Sequence, residues 1–108
     1  MLWNGANGTL SGCTFVNNTA TGNGGGVYWN GTDSTLTDCI FIGNSAKDSG
    51  GGLCWNGANG TLNNSNLIGN TANRGGGAVY WNGANGTLNN AYITNNVAKS
   101  VGGAIYWR

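Results

Sequence analysis

The side chains that could do acid–base or metal chemistry are few in this sequence, and they do not cluster. The chain has three acidic residues, all aspartates, together with three cysteines and no histidine. Glycoside hydrolysis requires two carboxylates placed opposite one another, whereas Asp33, Asp38 and Asp48 occupy three different positions of the repeat described below. We therefore predict no catalytic site, no enzyme activity and no cofactor, and we interpret Asp33 as a turn residue.

The cysteines do not have the spacing of a metal site. No Cys-x-x-Cys pair is present and no histidine could complete a zinc site. Cys13 and Cys39 lie at one repeat position, where Ser65 and Ala91 stand elsewhere, so we expect a small interior site holding buried thiols, with a disulfide as the less favoured alternative. Cys54 replaces a tyrosine of the other repeats. We predict no bound metal.

Aromatic residues supply the candidate interaction surface. We call the five evenly spaced tryptophans the Trp column and the tyrosines just before three of them the Tyr column. Exposed rings could stack on sugars or pack against another solenoid, whereas stacked rings could simply stabilise the fold. The sequence leaves both roles open. The members are Trp3, Trp29, Trp55, Trp81 and Trp107, and Tyr28, Tyr80 and Tyr106.

The Trp column marks a repeat that organises the whole chain. Each tryptophan follows the previous one after 26 residues, giving four coils at about residues 3–28, 29–54, 55–80 and 81–106. A fixed period of this length is typical of a solenoid, in which each coil buries its apolar face against its neighbours. We therefore predict one β-solenoid domain spanning residues 1–108, with no evident caps.

Each coil is predicted to contain three short strands separated by turns. The first strand contains a Thr-Leu pair, the second shows a small–variable–large alternation, and the third is a Gly-rich run that leads into the next tryptophan. The Asn-Gly pair after the tryptophan is expected to supply the positive φ of a tight turn. The inward large residues, called the Phe column here, are Phe15, Phe41, Leu67 and Ile93.

An asparagine recurs at the second turn of every coil. An asparagine at the same inward corner of each coil can hydrogen-bond its copies above and below, and it can satisfy buried turn backbone. We therefore predict an asparagine ladder, called the Asn column here. Its members are Asn18, Asn44, Asn70 and Asn96.

Two of these motifs resemble those of a known family. The Phe-x-x-Asn pattern, as in Phe15 to Asn18, and the Gly-Gly-Ala-Ile pattern at 102–105 resemble the paired motif of polymorphic outer-membrane proteins and related adhesin-like surface proteins. The resemblance covers all four repeats, although Leu67 and Ile93 replace the phenylalanine in the last two. It implies an all-β, right-handed parallel β-helix and an extracellular or cell-surface location.

A leucine-rich repeat is the rival fold. The stretch from Leu10 to Asn18 fits its leucine pattern, and the repeat length is within its range. The convex helix of that fold would require helix formers where this chain is rich in glycine and asparagine, so the parallel β-helix is favoured.

The two ends of the chain break the coil at the same phase, which predicts self-association. We expect Ile105, Tyr106 and Trp107 to lie against Met1, Leu2 and Trp3 of a second copy, giving a head-to-tail stalk or filament; an excised block of a longer stalk is the competing explanation. The alternative function is a carbohydrate-binding module using the aromatic columns. Because the net charge is only +1 and no long apolar run is present, we predict that the chain does not bind nucleic acid and does not insert into a membrane.

Overall fold

The computed structural model describes residues 1–108 as an all-β chain of seventeen short strands. The absence of any helix rules out the leucine-rich repeat, because that fold would place a helix or 3₁₀ segment in each coil. The structure has no helix long and apolar enough to span a membrane.

The strands form four parallel sheets that run the length of the molecule. Sheet A contains β1 (Leu2–Asn4), β5 (Val27–Asn30), β9 (Leu53–Asn56), β13 (Val79–Asn82) and β17 (Ile105–Trp107). Sheet B contains β2 (Thr9–Ser11), β6 (Thr35–Thr37), β10 (Thr61–Asn63) and β14 (Thr87–Asn89). Sheet C contains β3 (Thr14–Val16), β7 (Ile40–Ile42), β11 (Asn66–Ile68) and β15 (Tyr92–Thr94). Sheet D contains β4 (Thr19–Ala20), β8 (Ser45–Ala46), β12 (Thr71–Ala72) and β16 (Val97–Ala98).

All strand pairs share one register. Thr9 lies opposite Thr35, Phe15 opposite Phe41, and Trp29 opposite Trp55, so equivalent residues of successive repeats are always neighbours. This register confirms the predicted β-solenoid of four coils. The predicted number of strands per coil was wrong, because each complete coil has four strands rather than three. The additional strand, of sheet D, is only two residues long and therefore too short to show an alternating pattern.

Four corners connect the four strands of each coil, and each corner uses a residue with positive φ. The first coil places Asn7, Gly12, Asn17 and Gly24 at these corners, with φ between 54° and 67°. The same four positions in the later coils also hold only Asn, Asp or Gly. These are the residue types that adopt the left-handed conformation at least cost, so the abundance of asparagine and glycine follows from the corners.

The Asn-Gly pairs after the tryptophans serve a different purpose from the one predicted. Gly31, Gly57 and Gly83 do not have positive φ. A Cβ at Gly57 would instead collide with the backbone carbonyl of Gly31 in the coil below, and the same holds for the other two. Glycine is therefore required here by close approach between coils, because any side chain would force neighbouring coils apart.

The interior is filled by columns of inward-facing side chains. Each strand alternates between the interior and the surface, so that Leu36 and Phe41 of the second coil are fully buried. The Phe column lies inside: Phe15 stacks on Phe41 with ring centroids 5.0 Å apart, and Leu67 is fully buried above them. Burial of equivalent side chains coil upon coil gives one continuous core.

The corner glycines differ in what a side chain would meet, and this difference is testable. Gly69 and Gly76 have nearly equal φ, at 64° and 62°, but a Cβ at Gly69 meets nothing within 4 Å whereas one at Gly76 collides with the Val79 carbonyl. We expect Gly69→Ala to lower the free energy of unfolding by about 1–2 kcal/mol through left-handed strain alone. Gly76→Ala should lose about 1–3 kcal/mol more through the clash.

Urea unfolding of both variants measures this difference. Gly69→Asn is the matched control and should be close to wild type, because Asn17 and Asn95 occupy the same corner in other coils. Equal losses for Gly69→Ala and Gly76→Ala would contradict the close-approach argument.

Candidate functional site: side-chain columns and coil faces

The three aspartates lie at separate positions of the coil, and no two of them occupy equivalent positions in neighbouring coils. Asp33 has a φ of 54° and accepts a hydrogen bond of 2.8 Å from the Asn59 amide, as a turn residue does. Asp48 forms an exposed ion pair with Arg74 at 3.4 Å. The structure contains no group of three or more His, Cys, Asp or Glu side chains that could hold a metal ion.

The three cysteines are free thiols in two environments. Cys39 is fully buried and donates a hydrogen bond to the Thr37 carbonyl at 3.3 Å, whereas Cys13 below it is partly exposed. Burial raises the pKa of the Cys39 thiol, and burial together with the nearby Asp48 raises the pKa of Cys54 to about 12. Both buried thiols are therefore protonated and unreactive at neutral pH.

The Asn column is a continuous hydrogen-bonded ladder inside the corner between sheets C and D. The Oδ1 atom of Asn70 accepts from the backbone N–H of Asn44 and from its side-chain amide, both at 3.0 Å. The same amide of Asn44 also donates to the Phe15 carbonyl at 2.9 Å. Asn44 and Asn70 are completely buried. The side chains of Asn44 and Asn70 therefore each satisfy two backbone groups of the coil below, one N–H and one carbonyl.

A second asparagine ladder, which the sequence analysis missed, lies on the surface. The Asn30 amide donates to Asn4 at 3.3 Å, Asn56 donates to Asn30 at 3.1 Å, and Asn82 donates to Asn56 at 3.0 Å. The signal was available, because an asparagine follows each of the first four tryptophans. It was assigned to the turn, although these residues end the strands of sheet A.

The three inner members of the Trp column are buried in the core, so of the two roles that the sequence left open the structure favours stabilisation of the fold over an exposed surface. Trp29 and Trp55 are 0% exposed and Trp81 is 1% exposed. A turn was expected directly after each tryptophan, but the strands of sheet A continue through the tryptophan to the asparagine that follows it. Alternation along the strand then turns Val27 and Trp29 to the same inward side.

A small residue beside each of the first four rings keeps the Trp column regular. Gly60 lies so close to Trp55 that a Cβ there would approach the indole to about 2.5 Å. Ser34 replaces this glycine in the second coil, and it is there that the stack departs from the regular arrangement. The rings of Trp29 and Trp55 are 5.6 Å apart and inclined by 26°, whereas Trp55 and Trp81 are 4.8 Å apart and inclined by 1°.

The three buried indole N–H groups of the Trp column have no hydrogen-bond partner in the structure. Leaving such a donor unsatisfied costs about 1–3 kcal/mol. The stacking of indole on indole and the burial of the large rings must offset this cost, which makes the column a packing element.

The Tyr column faces outward, as alternation along sheet A requires. Tyr80 and Tyr106 are half-buried and stack on each other with centroids 5.3 Å apart. Cys54 interrupts the column and is only 2% exposed. The tyrosines border a small surface groove of about 300 Å³ that also contains Ser49 and Arg74.

All the predicted end-to-end residues except Met1 lie on the two edge strands of sheet A. Leu2 is 64% exposed and Trp107 is 43% exposed. Trp3 stacks on Trp29 and Trp107 on Trp81, both at 4.7 Å. Both ends therefore present apolar surface and unpaired strand edge, the features through which sheets associate.

Thiol reactivity tests the cysteine environments. At pH 8 we expect Cys13 to react with an aromatic disulfide reagent in the folded chain, while Cys39 and Cys54 react only after unfolding in urea.

A raised folded-state pKa of the buried thiols means that the unfolded chain releases its thiol protons first as the pH rises. This contribution to stability is therefore complete below the ordinary thiol pKa of 9.0 and is lost as the pH rises toward 12. Rapid reaction of all three thiols in the folded chain would contradict their burial.

Comparison with known proteins agrees with this geometry. A family model described as a right-handed β-helix region matches residues 1–107. No curated protein and no solved structure matched the chain. The model covers nearly the whole chain, and the parallel sheets joined coil by coil have the architecture it describes. The chain therefore belongs to the right-handed β-helix family.

Proposed function

We propose that this chain is a structural, non-enzymatic β-solenoid of the cell surface or extracellular space, whose coils stack end to end on those of another copy. The resulting assembly is a stalk or filament of the kind used by adhesin-like surface proteins. The observation that carries the proposal is the single register of the fold. Because of this register, the upper face of each coil is complementary to the lower face of the coil above it.

The matching of coil faces supports association between copies. Sheets B, C and D each pair three times within the chain with the same register, and sheet A pairs four times. The upper face of the last coil has the same strands and corners as the upper faces that pair inside the molecule. A contact between different faces of two copies does not close on itself, so it propagates along an axis.

The chemistry of the side chains supports a scaffold more than an enzyme. The interior is occupied by stacked Trp, Phe and Leu side chains. The acidic residues are used at corners and in an exposed ion pair. The proposed location rests on the resemblance to adhesin-like surface proteins.

Sedimentation velocity over a range of protein concentration tests the proposal. We expect the 108-residue chain to form species whose size grows with concentration in the micromolar range, and electron micrographs of them to show unbranched rods of one width. Monodisperse monomer throughout this range would contradict the stacking proposal.

Carbohydrate binding is a second candidate, restricted by the structure to the Tyr column. The observation that favours it is the groove beside Tyr80 and Tyr106, which offers the exposed Arg74 guanidinium as a hydrogen-bond donor. The burial of Trp29, Trp55 and Trp81 removes these tryptophans from this surface, and the mutual stacking of the two tyrosines leaves mainly ring edges and hydroxyls available.

A glycan array tests this second candidate. If the groove binds sugars, Tyr80→Ala should lose the signal while Tyr92→Ala retains it, because Tyr92 is exposed on a different sheet. Lack of binding by the wild-type chain, or equal loss in both variants, would contradict it. Circular dichroism of each variant controls for folding.

A further inference from the structure

The four sheets do not have the same number of strands, and this constrains how two copies can join. Sheet A has five strands, whereas sheets B, C and D have four each. The extra strand arises because β1 and β17 occupy equivalent positions of the repeat, each containing a tryptophan that faces the core column. If the coils of an upper copy continue those of a lower copy without a gap, β1 of the upper copy and β17 of the lower copy compete for one place.

Inside the molecule, the corner beside sheet D shows what each coil offers to the next. The N–H groups of Ser45, Lys47 and Asp48 donate to carbonyls of the coil below at 2.8–3.0 Å. The equivalent groups of the first coil belong to Thr19, Thr21 and Gly22, and these face an open groove of about 590 Å³. The groove has the position that a preceding coil would fill.

The last coil carries the groups that this groove requires. The carbonyls of Asn70 and Ala72 accept from the coil above, and their counterparts in the last coil are those of Asn96 and Ala98. The N–H groups of Gly26 and Val27 donate to the Gly52 carbonyl, and their counterparts are those of Ala104 and Ile105. The free donors and acceptors of one edge therefore match the other edge in kind and spacing.

We propose that two copies join in the gapless register, with residues 9–26 of the upper copy on residues 87–104 of the lower copy and with strand β1 of the upper copy released. This inference rests on the proposed stacking function and specifies its interface. It replaces the contact expected from the sequence, in which β17 lies directly against β1. That contact would continue sheet A alone and leave sheets B, C and D interrupted by one missing strand.

The Asn column continues across this junction. Inside the chain the Asn44 Oδ1 atom accepts from both the backbone and the side-chain amide of Asn18, at 3.0 and 3.1 Å. The Oδ1 atom of Asn18 has no such coil below it, and Asn96 has no such coil above it. In the gapless register Asn18 of the upper copy accepts these two bonds from Asn96 of the lower copy, which makes the ladder unbroken.

The released strand is β1 because β17 is the better held of the two. Strand β17 stacks Tyr106 on Tyr80 and Trp107 on Trp81, and Arg108 continues the backbone ladder by donating to the Trp81 carbonyl at 2.8 Å. Strand β1 has one stacked aromatic pair, and its Leu2 side chain is largely exposed opposite Tyr28.

Replacement of β1 of the upper copy by β17 of the lower copy also improves the packing and hydrogen bonding at the junction. When β17 of the lower copy lies beneath β5 of the upper copy, Tyr106 takes the place of Leu2 opposite Tyr28, and Trp107 takes the place of Trp3 beneath Trp29. Release of β1 frees the Gly26 carbonyl from the N-terminal ammonium, which donates to it at 2.7 Å. That carbonyl is then available to Ala104 and Ile105 of the lower copy.

Two substitutions in the full chain distinguish the registers by sedimentation equilibrium. Asn18→Ala should weaken association by about tenfold, because two hydrogen bonds of the junction are lost. Thr14→Ala is the control and should leave association unchanged, since Thr14 is exposed on the outer side of sheet C in the same coil. Trp3→Ala should strengthen association by at least about twofold, because it removes the stacked pair that holds β1 in place.

The outcomes separate this inference from the function on which it rests. Association that is unchanged by Asn18→Ala, or weakened by Trp3→Ala, overturns the gapless register while leaving end-to-end stacking intact. A wild-type chain that does not associate at all overturns the proposed function and this inference with it. Far-ultraviolet circular dichroism of each variant establishes that the coils remain folded.

Discussion

Hydrogen bonding between each residue and its equivalent in the next repeat is the constraint on which the structure depends. Every pair of strands in the four sheets follows this one register. A parallel ladder with a constant offset brings equivalent side chains of successive repeats into contact, so that Trp55 lies above Trp29. Stacked rings, hydrogen-bonded asparagines and a tight backbone path are consequences of the register rather than separate devices.

The same constraint sets the composition. A coil with four short strands must turn four times, and each corner uses the left-handed conformation, which restricts it to Asn, Asp or Gly. Close approach between coils adds a demand for glycine at Gly57, and close approach to the Trp55 indole adds one at Gly60. Ser34 shows the effect of relaxing that demand, because the stack of Trp29 on Trp55 is wider and more inclined beside it. The regular stacking of the Trp column thus depends on the glycines beside the rings as much as on the rings themselves.

The repeat made much of the architecture predictable. The spacing of the tryptophans indicated the coil, and the alternation around Phe41 indicated a strand with that side chain inside. Two features were not predictable for physical reasons. The strand Thr71–Ala72 is too short for alternation to be visible, and the inward orientation of Trp55 depends on whether its strand ends before or after it. The competition between β1 and β17 was not predicted, although the two ends have the same phase, because it depends on sheet A having one strand more than sheets B, C and D.

The axial rise per protomer in the assembled state tests the central claim, that the coils of one copy continue those of another in the same register. Coils separated by the strand spacing of about 4.8 Å predict a rise of about 19 Å when four coils are added per protomer without a gap. Helical reconstruction from electron micrographs of the assembly measures this value. A rise of about 24 Å, corresponding to five strand spacings, would mean that β1 stacks on β17 and would contradict the gapless junction. The absence of any ordered axial assembly would contradict stacking altogether.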